Sequence, residues 1–175
     1  LMPKVGILIF QYEYLNRDKM PRRDTFLSSL GAFLDALPAD LPLAVEIRNP
    51  RWIDGDWFSF LKERKVAPVL LQGYWMDDVA GIIKRHAGDF SDTVCLRLHG
   101  EDREGMEERT GEDWSRIVRP KDDEIKRIHE GIINLVAGGR KVFLNVNNHY
   151  EGCAPLTIAK FSGNGDPLPH GGELA

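Results

Sequence analysis

The sequence predicts an α/β fold built on a parallel sheet, and three observations carry that prediction. Five short apolar, β-branched runs are spread along the 175 residues. Helical patterns separate them, so strand and helix alternate throughout. Within several runs an apolar face alternates with one that turns polar toward the C-terminal end. The spacing suits either a doubly wound open sheet or part of a (β/α) barrel.

The first run, KVGILIF (residues 4–10), leads into Gln11, which falls on the face of Ile7 and Ile9. The helical pattern DTFLSSLGAFLDALP follows, with Phe26, Leu30, Phe33 and Leu37 on one face, Asp24 as N-cap and Pro38 as stop. In the second run, LAVEIR (43–48), Val45 and Ile47 point one way, Glu46 and Arg48 the other. GDWFSFLKERK reads as a short helix before the third run, APVLLQ (67–72), and DDVAGIIKRHAG as another, ending at Gly88. The fourth run, TVCLRLH (93–99), sets Leu96 and Leu98 against Arg97 and His99. A charged stretch, residues 100–122, reads as a long functional or mobile βα loop. DDEIKRIHEGIINLVAGG carries an apolar stripe of Ile125, Ile128, Ile132 and Val136 and stops at Gly138 and Gly139. The fifth run, KVFLNVN (141–147), pairs Leu144 with Val146 and leaves Asn145 and Asn147 together. APLTIAKF forms the last helix with Pro155 in its first turn, and the Gly- and Pro-rich tail 162–175 reads as disordered.

Composition narrows the class. With 42% hydrophobic and 29% charged residues, the chain is an ordinary globular domain with a sizeable core. A net charge of -4 argues against general attraction to nucleic acid or anionic membrane. Two cysteines make no disulfide framework, which points to a reducing, cytoplasmic setting. No apolar run reaches the roughly 20 residues of a membrane span, so no membrane is expected as partner. No phosphate-loop or dinucleotide glycine motif follows any strand, which removes support for a nucleotide-type Rossmann site.

The polar strand ends are where the chemistry concentrates. Parallel sheets are covered on both faces, so a polar second face suits the mouth of a barrel, where barrel enzymes hold their sites. Arg48 and Arg97 offer planar donor forks for carboxylate or phosphate. His99 is a candidate general acid or base, weighed against a satisfied interior histidine. Glu46 is either its catalytic partner or part of a structural Glu–Arg network. The stretch NVNNHYEG (145–152) adds Asn145, Asn147, Asn148, His149 and Tyr150 as substrate-orienting groups, ahead of a helix N-terminus that favours an anion. Cys153 lacks a paired base and is a poor nucleophile candidate. Glu46, His99 and His149 are metal-ligand types, but their spacing matches no metal motif and two arginines oppose a dication, so neither a metal nor a cofactor is expected.

AVEIRNPRW (44–52), CLRLHG (95–100) and NVNNHYEGCAP (145–155), with GILIFQ (6–11), resemble the YecE-like family, a domain of unknown function numbered 72. The matching positions are Gln11, Glu46, Arg48, Pro50, Trp52, Arg97, His99, Gly100, Asn147, Asn148, Gly152, Ala154 and Pro155. The resemblance implies a TIM-barrel-like (β/α) fold and no established reaction. Such a domain needs about 240 residues or more and about eight strands to close. This chain therefore reads as the C-terminal two-thirds, residues 1–161, an incomplete barrel of about five parallel strands. An open barrel exposes a strand edge, which offers copies of the chain a surface for self-association. Trp52 either stacks on a base or sugar ring or serves as a core or lid aromatic.

The resulting expectation is a hydrolase- or lyase-type enzyme acting on an anionic, phosphate-bearing small molecule or nucleic acid. Arg48 and Arg97 would hold the anion, Gln11, Trp52 and the asparagines would orient it, and His99 with Glu46 would move protons. The alternatives are a non-catalytic binding module for an anionic ligand or nucleic acid, and an inactive truncated remnant.

Overall fold

The computed structural model describes residues 4–100 and 102–162. Five strands, β1 (Leu8–Gln11), β2 (Leu43–Glu46), β3 (Ala67–Gly73), β4 (Thr93–Gly100) and β5 (Lys141–Val146), form one sheet in sequence order. Every neighbouring pair is parallel. The helices are α1 (Arg23–Asp35), α2 (Gly55–Glu63), α3 (Val79–His86), α4 (Arg103–Thr110), α5 (Asp122–Ala137) and α6 (Ala154–Ser162). The sheet is not closed: among the described residues nothing pairs with the outer edges of β1 and β5.

Strand alternation sorts side chains into two layers. Val45, Ile47, Leu96 and Leu98 are buried against the helices, with Phe26, Leu30, Phe58, Leu61, Ile82, Ile128 and Ile132 across from them. Each such side chain contributes roughly 1.5–3 kcal/mol through lost apolar exposure. The opposite face carries a smaller cluster of Ala44, Ala67, Val69 and Cys95, with Ile7, Ile9 and Phe143 at its margin. Beyond that cluster the same face turns polar, because Arg97 stands in register with Leu71 and Asn145, and Gln11 with Glu46.

Local detail departs from the sequence reading in three places. The N-cap of α1 is Arg22 rather than Asp24, which sits in the first turn. Leu34, not Phe33, completes the buried stripe of α1; Phe33 remains exposed and meets Phe10 edge-on at 5.0 Å. The charged stretch expected to be loop contains α4, whose Asp102 accepts from the Gly105 N–H and whose Gly111 closes it in the left-handed region. That helix buries only Met106 and Thr110, so no apolar period announced it. The expected tail falls almost wholly at 163–175, outside the described residues.

Two glycines draw the strand ends together. Gly73 and Gly100 have φ of +127° and +86°. A Cβ at Gly73 would lie 2.3 Å from the Gly100 carbonyl oxygen, and one at Gly100 would lie 2.3 Å from that of His149. Only a bare backbone lets β3, β4 and the segment after β5 approach this closely.

Candidate functional site at the strand ends

Glu46, the last residue of β2, is wholly buried and is the hub of the polar face. One carboxylate oxygen accepts from Arg48 Nε at 3.2 Å and the other from Arg97 Nη1. Arg97 Nη1 also donates to Gln11 Oε1 at 2.8 Å, so three strands meet in one network. Burying a carboxylate is costly unless it is paired, and here two guanidiniums share the compensation. One carboxylate between two arginines leaves an excess positive charge at the mouth.

His99 lies two residues beyond Arg97 on the same face, its Nδ1 3.1 Å from the Tyr74 hydroxyl. Burial, and then the guanidiniums of Arg97 and Arg48, push its pKa below the ordinary histidine value. The imidazole is therefore neutral at neutral pH and able to accept a proton. This has a consequence for stability. The unfolded chain takes up a proton near the ordinary value of ~6.5, the folded chain only at lower pH. Stability is expected to fall as pH drops below ~6.5 and to level off once the folded form also protonates. Urea unfolding at pH 7.5 and 5.5 tests this: His99→Gln should show a shallower loss than the parent chain, and an unchanged loss would refute the assignment.

The asparagine stretch divides. Asn145 is exposed on the open face and donates from Nδ2 to Cys95 Sγ at 3.3 Å. Asn147 Oδ1 accepts the His149 N–H at 2.9 Å and faces His149 Nδ1 at 2.5 Å. His149 Nε2 lies 3.1 Å from Glu107 Oε1, and its ring meets Trp114 edge-on at 5.0 Å. Arg97, His99, Asn145 and Asn147 line a small cavity of about 90 Å³. Asn148 and Tyr150 have other duties. Asn148 Oδ1 accepts the Ala154 N–H at 2.8 Å and so caps α6. Tyr150 is fully buried among the helices and donates to Glu124 Oε1 at 2.5 Å. Trp52 stands apart too, tilted on Phe26 at 5.5 Å and lining a separate cleft.

Neither cysteine offers a ready nucleophile. Both are buried, and burial pushes the Cys95 thiol up to about 11. Among the described residues no three His, Cys, Asp or Glu side chains gather as a metal site, and no helix is long and apolar enough to cross a membrane. Tyr74, Trp75, Glu107 and Trp114 are participants the sequence reading passed over. Tyr74 and Trp75 directly follow β3, a position that would have marked them had that strand shown a polar alternation before Gln72.

Comparison with known proteins agrees with this architecture. The family model described as "Protein of unknown function DUF72" matches residues 1–166. A crystal structure of a DUF72 family protein from Enterococcus faecalis superposes with a TM-score of 0.62 at 17% identity, covering 97% of this chain and 63% of that one. A second, from Thermotoga maritima, gives 0.59 at 18% identity, covering 89% and 56%. The chain thus spans less than two-thirds of the length of either structure. Among curated proteins none matches it. With the family model extending over nearly its whole length, the chain belongs to the DUF72 family.

Proposed function

We propose that the strand-end cluster binds an anionic, phosphate-bearing substrate and that the domain is an enzyme of hydrolase or lyase type. The observation that carries this reading is the buried Glu46 holding two guanidiniums beside a neutral histidine. Both carboxylate oxygens of Glu46 are engaged, which supports a positioning role for it over the proton-carrying role expected from the sequence. The remaining donors of Arg97 and Arg48 receive the anion, since a guanidinium fork matches phosphate geometry. Asn145 and Asn147 border the same small cavity and orient the bound group. His99 accepts a proton from the substrate or from water, with Tyr74 holding its other nitrogen. A non-catalytic module for the same anion is the second reading, favoured by the small size of the cavity, about 90 Å³.

Thermal unfolding with inorganic phosphate, against chloride at equal ionic strength, tests the anion site. Phosphate at ~100 times its Kd stabilises by about 2.7 kcal/mol, and Arg97→Ala should remove that gain. Retention of the full gain in Arg97→Ala would dismiss the strand ends as the anion site. His99→Ala should keep phosphate binding under both readings. A substrate found later should be bound but not turned over by that variant only if the domain is an enzyme.

A further inference from the structure

A wider cleft borders the strand ends, between the segment after β1, the turn after β2 and the residues after β3. It encloses about 710 Å³, within the range of small-molecule sites. Two large aromatic rings stand open in it: Tyr14 is 49% and Trp75 56% exposed, and they meet edge-on at 6.2 Å. Trp75 is fixed in place because its Nε1 donates to the Arg48 carbonyl at 3.2 Å. Trp52 lines the wall, backed by Phe26.

The charge of this cleft is one-sided. Three arginines line it and no acidic residue does. Arg23 is taken up by a bidentate pair with Asp54 at 2.6 and 2.7 Å. Arg17 and Arg51 have no carboxylate partner among the described residues. The walls are built in advance: the buried Asn49 side chain accepts the Leu15 N–H at 3.0 Å and donates to the Leu15 carbonyl at 2.9 Å, tying the first loop to the second. A rigid wall lowers the ordering cost of binding.

Open rings beside unpaired guanidiniums fit one ligand class: a planar heteroaromatic ring joined to a phosphate. We infer that this cleft binds a nucleoside monophosphate, with the base against Trp75 and Tyr14 and the phosphate on Arg17 and Arg51. Aromatic faces accept any base, so the ring contributes affinity with little base preference. Arginine forks grip the phosphate oxygens two at a time. The inference does not rest on the strand-end reading, because neither Arg97 nor His99 lines this cleft.

Titration calorimetry of the whole chain with AMP, adenosine and ribose 5-phosphate, with CMP and GMP in parallel, decides the matter. AMP should bind at least about tenfold more tightly than either fragment, with the other two nucleotides close to it. Trp75→Ala, and the double change Arg17→Ala with Arg51→Ala, should each weaken AMP by about tenfold or more. All these side chains line an open cleft, so Tm should hardly move, which separates lost binding from lost folding. Arg97→Ala should change AMP affinity by less than about twofold, as expected of a site with no shared partner. Equal binding of AMP and ribose 5-phosphate would overturn the inference, as would loss of AMP binding in Arg97→Ala but not in the cleft variants. So would the absence of any nucleotide binding at millimolar concentration. AMP binding that survives beside an absent Arg97-dependent phosphate effect would sink the strand-end reading alone.

Discussion

Replacing Glu46 by alanine is expected to destabilise the domain by about 3–5 kcal/mol, the range for breaking a buried ion pair from one side. The carboxylate is fully buried, while the side chains of Arg48 and Arg97 keep 18% and 23% exposure. That partial hydration places the expected loss toward the lower end, about 3 kcal/mol, because the orphaned guanidiniums can recruit water. Glu46→Gln should lose less, since the amide oxygen still accepts from one arginine. Urea unfolding monitored by tryptophan fluorescence gives both values, provided the transition is cooperative. Equal stability of Glu46→Ala and the parent chain would show that the network contributes nothing to folding. The phosphate response of these variants separates folding from function. Glu46→Gln should weaken anion binding by loosening Arg97, even where the fold survives.

Substituting alanine for Gly100 is expected to cost about 3 kcal/mol or more, and it should damage the site together with the fold. Two penalties combine here. The residue has φ of +86°, and the new Cβ would overlap a backbone atom, the His149 carbonyl oxygen, at 2.3 Å. No side-chain rotation relieves a clash with backbone, so β4 and the segment after β5 must separate. His99 and Asn147 sit on those two segments, and the small cavity between them would open. Gly111 provides the control: its φ is +58°, but a Cβ there meets nothing within 4 Å. Gly111→Ala should therefore cost only about 1–2 kcal/mol, the price of a left-handed alanine. Differential scanning calorimetry of the pair tests the steric argument, which fails if the two variants melt together.

Much of the architecture was legible in the sequence because it is encoded locally. A period of two in AVEIR, CLRLH and LNVN is enough to send Val45, Leu96 and Leu144 toward the helices and Glu46, Arg97 and Asn145 to the other face. Where the local signal was weak the reading failed. The helix α4 has almost no apolar period, and Phe33 stays exposed because it packs on Phe10 of β1, the outermost strand of the sheet, rather than into the core. Tyr74 and Trp75 were passed over because β3, buried along its whole length, gave no polar face to follow to its end.

The candidate site shows the same division more sharply. Asn147, Asn148, His149 and Tyr150 are neighbours in the chain, and nothing in their order separates them. In the fold Asn148 caps α6, Tyr150 turns among the helices to Glu124, and only Asn147 borders the cavity with Arg97 and His99. A tight helical turn at 148–150 fans these side chains in different directions, and local periodicity does not extend through such a turn.

The sequence by itself determined the parallel α/β class and, in β1, β2, β4 and β5, which strand ends turn polar, because these follow from periodicity within a few residues. The order of the strands in the sheet came from the fold. The tertiary structure alone decided which polar groups meet. Arg97 reaches Glu46 across 51 residues of chain and Gln11 across 86, and the open cleft gathers Tyr14, Arg51 and Trp75 from three separate connections. Register and strand packing set those encounters, and a one-dimensional pattern specifies the face of a residue without specifying its neighbour.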